Sequence, residues 1–294
     1  MISEQLRGTM PRMRRSRRTW PVVLLALALL LAAGCDGGDD GGSTTPPGTT
    51  TDETSPETMT VAAYLLRDGK VSPVARSVAS SSAVARAALE ALLDGPTTEE
   101  RAAGLASAIP EGTRLLDVSI ADDVATVDLS GSFDDGGGSA SMLGRVAQVV
   151  ATLTRFPNVE RVAFRLEGDP VEAIGGEGVL VDPPVGRLDV EEQTPQILVE
   201  SPLPGDTVSS PIRLRGTANV FEATVSLELR DAADEVILET FTTATSGTGT
   251  RGTFAAELEV PEGTEGAVTI VAFEASAEDG RPLHVVRVPV TVER

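Results

Sequence analysis

The sequence predicts a small α+β domain followed by an all-β sandwich, both downstream of an export leader and a polar tether. Three observations carry this prediction. Between residues 59 and 166, short stretches of alternating apolar residues are interrupted by two segments with helical apolar spacing. Residues 197–292 hold seven short strand candidates, separated by turns rich in Gly, Pro and Asp. Residues 36–58 contain only Asp, Gly, Ser, Thr, Pro and Glu, so they cannot bury apolar surface and read as a disordered tether. As a flexible coil, those residues would span roughly 25–30 Å root-mean-square.

The leader comes first. Arg12, Arg14, Arg15, Arg17 and Arg18 precede an apolar run from Val22 to Ala33. A basic segment, a short apolar run and small residues before a cut site form a secretory signal. The run falls short of the about 20 residues that a membrane-spanning helix needs. Ala32-Ala33-Gly34-Cys35 resembles a bacterial lipobox, with Ala32 where Leu is usual. That resemblance implies cleavage before Cys35, acylation of its thiol with a palmitate-type chain, and a lipid anchor on the extracytoplasmic face of the cell membrane. Cys35 is the only Cys, so it has no intramolecular disulfide partner, and acylation would remove an otherwise reactive thiol.

The chain has 24 Lys+Arg against 44 Asp+Glu, a net charge of −20. Removing residues 1–34 takes away six Arg and one Glu and leaves −25. Such acidity argues against nucleic acid as a partner and against adhesion to anionic headgroups, so the membrane link rests on the lipid. Aromatic residues are 3%, which requires an aliphatic core. The bias toward Ala, Gly, Arg and Asp suggests a G+C-rich genome of the actinobacterial kind.

In the first domain, 60–66 and 70–76 read as strands around an Asp68-Gly69 turn. A helix follows from about 82 to 93, with Val84, Ala88, Ala91 and Leu92 on one side and Gly95-Pro96 as its stop. Thr97 and Glu100 form a capping box for a short helix closed by Gly104. Leu116, Val118 and Ile120 alternate, as do Ala125, Val127 and Leu129, across an Asp122-Asp123 turn. Asp134–Gly138 reads as a flexible loop. Met142, Val146, Val149 and Leu153 then make an amphipathic helical stripe, and Val162, Phe164 and Leu166 a last strand. This order predicts a small, mostly antiparallel sheet with helices on one face. Residues 168–196 read as a connector, within which Gly175-Gly176-Glu177-Gly178 lacks the Lys-Ser/Thr and the helix of a phosphate loop.

The strand candidates of the second domain are 197–200, 212–216, 225–230, 236–243, 252–260, 268–275 and 283–292. Val225, Leu227 and Leu229 alternate, and so do Val286, Val288, Val290 and Val292. Seven short strands at this spacing predict a sandwich, and without a Cys…Trp…Cys frame it is not of the antibody type. The organisation expected is a signal peptide at 1–34, a lipidated tether at 35–58, an α+β domain at 59–185, a linker at 186–194 and a sandwich at 195–294. The connector composition predicts two cores that do not interdigitate.

Several segments, in order, resemble the GerMN domain of spore germination and sporulation lipoproteins. They are Ala88–Thr97, Ser107–Thr113, Val124–Ser130, Gly138-Ser139-Ala140 and Phe156-Pro157-x-Val159. Ser201-Pro202-x-Pro204-Gly205, Gly216–Ala223 and Gly247–Phe254 are similar to the immunoglobulin-like, germination-associated domain that often follows GerMN. The fold class implied is an α+β GerMN domain followed by an all-β immunoglobulin-like sandwich. The resemblance implies oligomeric or adapter roles and carries over no catalytic residue.

The chemistry available is sparse. His284 is the only His, and no Gly-x-Ser-x-Gly elbow precedes it, so a Ser-His-Asp triad has little to use. Zinc lacks Cys and His ligands. Asp122, Asp123, Asp134 and Asp135 lack EF-hand spacing and read as turn residues. Sugar platforms are scarce, because Trp20 leaves with the leader. No catalytic residue, metal site or cofactor is therefore expected. The function expected is a non-enzymatic envelope adapter with a protein partner, or alternatively a lipoprotein that binds cell-wall glycan or another ligand. The candidate contact is Asn219, Phe221 and Glu222, between two strands of the sandwich. Phe221 has two readings: a plug folded into the end of the core, favoured because aromatics are usually buried, or an exposed anchor ringed by Asn219 and Glu222.

Overall fold

The computed structural model describes residues 57–175 and 178–293. Strands β1 (Thr58–Arg67) and β2 (Lys70–Ala79) pair along their whole length, from Thr58 opposite Ala79 to Arg67 opposite Lys70. Asp68 and Gly69 join them with φ of 51° and 75°, the two positive values that a two-residue hairpin turn demands. Helix α1 (Val84–Leu93) ends at Gly95, and α2 (Thr98–Ala102) starts from the expected capping box. There the Glu100 N–H donates to Thr97 Oγ1 at 3.2 Å and the Thr97 N–H to Glu100 Oε2 at 2.8 Å. The short β3 (Leu105–Ala106) adds to β1.

Strands β4 (Leu115–Ala121) and β5 (Val124–Leu129) form the second hairpin, turned by Asp122 and Asp123. Helix α3 (Ser139–Leu153) crosses over to β6 (Arg161–Leu166), which lies parallel to β5. Short strands complete this half. Strand β7 (Asp169–Pro170) pairs with β6, β8 (Ala173–Ile174) pairs with β9 (Val179–Leu180), and β10 (Val185–Gly186) takes the far side of β6.

The class is α+β, but the strands divide into a β2-β1-β3 sheet and a β10-β6-β5-β4 sheet rather than forming one. Helix α3 is the reason. Beyond β3, the free edge of β1 is satisfied by side chains of α3 and not by another strand. The Tyr64 N–H donates to Thr152 Oγ1 at 3.1 Å, and Gln148 Nε2 donates to the Tyr64 carbonyl at 3.1 Å. Gln148 Oε1 also accepts the Ala108 N–H at 2.8 Å. The helix is therefore buried on every side from Gly144 to Leu153, not only along its apolar stripe. The loop before it is held as well. Arg145, 2% exposed, donates to the carbonyls of Phe133 at 2.5 Å, Asp135 at 3.2 Å and Gly136 at 3.0 Å. Burial lowers the pKa of that guanidinium, and Asp134 and Asp135 partly restore it.

The second half is the expected sandwich. Strands β11 (Ile197–Ser201), β13 (Ile212–Ala218) and β16 (Gly252–Leu258) form one sheet. The other has the order β12-β18-β17-β14-β15, with β12 (Thr207–Val208), β14 (Thr224–Arg230), β15 (Val236–Thr243), β17 (Gly266–Ala275) and β18 (Pro282–Val292). Ile212, Leu214, Val225, Leu227, Leu229, Phe254, Ile270, Val288 and Val290 fill the space between the sheets.

The two cores meet instead of standing apart. Ile197 and Val199 of β11 point into the sandwich, while Leu198 between them is 3% exposed and belongs to the core of the first half, as does Leu203. A strand whose alternate faces are both covered by apolar surface cannot be separated without exposing one of them. The described residues accordingly form one compact unit.

Candidate functional site

Side chains from four segments hold the two halves together. In the first half, Tyr64 is fully buried and its hydroxyl donates to Glu200 Oε1 of β11 at 2.8 Å. Arg187, in the 3-10 segment Arg187–Gln193, reaches the same carboxylate oxygen at 2.6 Å. Its guanidinium sits 5.8 Å from the centre of the Tyr64 ring, and its Nε donates to Thr154 Oγ1 at 2.8 Å. Arg155 Nη1 donates to the Glu200 carbonyl at 2.6 Å. Burial, then the nearby Glu200 charge, pushes the Tyr64 hydroxyl up to about 12. For Arg187, burial alone would lower the pKa, but Glu200 and Tyr64 together outweigh it and the guanidinium is held above its ordinary value.

The same connector positions the loop that carries the candidate contact. Glu191 Oε2 pairs with Arg251 Nε at 2.7 Å, and Arg251 Nη2 donates to the Pro195 carbonyl at 2.7 Å. Asn219 spans the two sides: its Nδ2 donates to Glu191 Oε1 at 3.2 Å and its Oδ1 accepts the Gly249 N–H at 2.9 Å. The loop 219–223 is thus tied to the loop 245–251, further joined by the Thr248 N–H to the Val220 carbonyl at 2.9 Å and the Glu222 N–H to Thr248 Oγ1 at 3.2 Å.

Phe221 is not a core plug. It is 50% exposed, whereas its neighbours Val220 and Ala223 are 2% and 9% exposed and close the end of the core themselves. Two non-glycine residues with positive φ, Glu222 at 52° and Ala223 at 57°, turn the chain so that the ring faces out. Backbone of this kind costs free energy, on the order of 1–3 kcal/mol per residue, and such strain tends to gather at functional sites. The Phe221 N–H is fixed by Glu274 Oε1 at 3.2 Å. Of the three predicted residues, Phe221 and Glu222 are exposed and Asn219 belongs to the framework that holds them. Cys35 lies outside the described residues.

The remaining chemistry-bearing residues have structural places. His284, at φ 53°, sits at a bulge with its Nε2 3.6 Å from Glu274 Oε2. Asp122 and Asp123 make the β4–β5 turn, and Asp134 accepts the Gly175 N–H. Among the described residues, no three of His, Cys, Asp and Glu gather as a metal site would need. No helix of the described residues is long and apolar enough to cross a membrane.

Sequence reasoning missed the outer face of the five-stranded sheet. Ser226 of β14 stands opposite Phe241 of β15 on one side and Phe273 of β17 on the other. Next to Phe273, β18 carries two residues, His284 and Val285, where one would fit. The row Phe241, Ser226, Phe273, Val285 therefore runs across one face, with Phe241 66% and Val285 46% exposed. The signal available beforehand was the period of two: Phe241 and Leu238 differ by three positions, so they cannot share a face of one strand.

Comparison with known families agrees with the two-part fold. A family model described as sporulation and spore germination (Germane) matches residues 62–172. A second, the immunoglobulin-like domain of bacterial spore germination (Gmad2), matches residues 196–281. No curated protein matches the sequence. Among solved structures, the tandem GerMN domains of the sporulation protein GerM from Bacillus subtilis are 19% identical, with 70% of this chain and 63% of that chain covered and a TM-score of 0.41. This chain thus spans less than two thirds of that tandem structure. The first GerMN domain of the same protein is 26% identical over 44% of this chain and 98% of that one, with a TM-score of 0.36. A candidate lipoprotein from Clostridium perfringens is 21% identical over 46% of this chain and 91% of that one, with a TM-score of 0.35. The chain carries a Germane domain followed by a Gmad2 immunoglobulin-like domain, both of spore-germination and sporulation families.

Proposed function

We propose that this protein is a lipid-anchored, non-enzymatic adapter of the cell envelope that holds a protein partner at the Phe221 end of its sandwich. The observation that carries the reading is Phe221 itself. A half-exposed aromatic sits on a backbone that is strained, fully tied down and coupled through Glu191 to the connector. Rigid aromatic anchors on framework-held loops are frequent hot spots of protein interfaces. The anchor is supported by the short apolar run, the single Cys35 that ends it and the polar tether that follows.

In-cell crosslinking with mass spectrometry tests both parts. The expected result is a discrete envelope-protein adduct that Phe221→Ala removes without changing the amount of folded protein, together with loss of membrane fractionation in Cys35→Ser. Adducts that survive Phe221→Ala, or a Cys35→Ser protein that stays as firmly on membranes, contradict the respective part. Saturable binding of a defined cell-wall glycan without any protein adduct would replace the adapter by the glycan-binding alternative.

A further inference from the structure

The outer faces of the two sheets of the sandwich differ. On β13 and β16 the outward positions hold Arg213, Arg215, Thr217, Thr253, Ala255 and Glu257, as a solvated face should. The five-stranded sheet instead shows apolar surface. Within residues 197–293, the exposed large apolar side chains are Phe221, Val236, Phe241 and Val285, and every one lies on β15, on β18 or in the loop leading into β14. Phe241, 66% exposed, and Phe273, only 9% exposed, flank the small Ser226, so the exposed Phe241 ring stands at one end of a row whose middle is nearly closed. Its far end adjoins the Phe221 loop, because Glu274, which accepts the Phe221 N–H, follows Phe273 directly.

Charge selects the occupant. The cationic groups of this face are already engaged: Arg230 with Glu228 at 2.5 Å, Arg287 with Asp234 at 2.8 Å and Arg281 with Asp279 at 3.5 Å. Glu239, two residues from Phe241 on the same face, and Glu222, beside Phe221, have no ion-pair partner among the described residues, and both are exposed. The face therefore offers apolar surface beside uncompensated carboxylates. A second copy would bring the same carboxylates against them, and like charges across an interface are costly. We infer that this face binds a protein segment that presents apolar side chains flanked by Lys or Arg. This rests on the adapter reading and gives its partner a chemistry.

The test uses the full chain in phosphatidylcholine nanodiscs, with empty nanodiscs as the blank. The probe is a fluorescein-labelled octapeptide that alternates Lys with Phe and Val, compared with the same peptide carrying Glu for Lys. Saturable binding of the Lys peptide alone is expected. Phe241→Ser and Glu239→Lys should each weaken it about tenfold, as loss of an interface anchor does. Val285→Ser, at a residue 46% exposed, serves as a second variant and should also weaken it. Glu257→Lys, on the outer face of the other sheet, should stay within about twofold. No saturable binding, an unchanged Phe241→Ser, or a Glu257→Lys effect as large as that of Glu239→Lys would overturn the inference. So would a concentration-dependent dimer, seen by sedimentation, that Phe241→Ser abolishes. If crosslinks at Phe221 persist while the peptide does not bind, the adapter reading stands and only the partner chemistry fails.

Discussion

Two aromatic residues carry opposite burdens in this molecule. Tyr64 has no exposed surface and a hydroxyl pushed up to about 12, first by burial and then by Glu200. Its ordinary value is 10.0, so the unfolded chain ionises first as pH rises. The stability this confers is whole below pH 10 and is lost as pH climbs through about 12, by about 2–3 kcal/mol. Urea unfolding between pH 9 and 12 should show that loss, and Tyr64→Phe should flatten it. Phe221 is the reverse case. Half its surface is already in water, so Phe221→Ala should change stability by no more than about 0.5 kcal/mol, against the roughly 3–5 kcal/mol of a buried Phe. Chemical denaturation separates the two. The sequence placed Phe221 in a loop between strands, but which apolar residue plugs the core end was not legible. Val220, Phe221 and Ala223 all qualify, and the choice is made by the positive φ of Glu222 and Ala223, non-glycine residues that carry no mark of it.

At the scale of elements, local chemistry was the readable part. The Asp68-Gly69 turn, the Thr97–Glu100 capping box and the seven sandwich strands follow from short motifs and from periods of two or 3.6 residues. Helix α3 shows where that reasoning stops. Its apolar stripe is legible, but Gln148 and Thr152 read as solvent-facing polar residues until β1 is placed beside them. Their bonds to the Tyr64 backbone close a strand edge that no strand covers. Gln148→Leu should leave the buried Tyr64 carbonyl and the half-buried Ala108 N–H unpaired, costing about 1–3 kcal/mol for the buried carbonyl and less for the N–H. Thermal unfolding should therefore fall by far more than for a surface substitution, and an unchanged midpoint would deny the helix its role as an edge. Strand β11 was expected only as a sandwich strand, although its unbroken apolar run Ile197-Leu198-Val199 is the pattern of a strand covered on both faces.

For the whole molecule, the connector is what composition misread. Gly, Pro, Asp and Glu suggest a loose link, yet Arg187 and Glu191 within it bind the first half, β11 and the Phe221 loop at once. Charged residues spread through a polar stretch look alike in sequence whether they are solvated or paired across elements. The adapter reading depends on the consequence, that the half nearer the proposed anchor and the half that shows Phe221 move as one body. Cutting between them would expose Leu198 and Leu203 and strand Tyr64 and Glu200 without each other. Differential scanning calorimetry of the full chain, with Glu200→Gln beside it, tests this most directly. One transition is predicted, with equal calorimetric and van't Hoff enthalpies as a single cooperative unit requires, and Glu200→Gln should lower its midpoint as a whole. Two resolved transitions in the unaltered chain, with Glu200→Gln moving neither or only one, would contradict it.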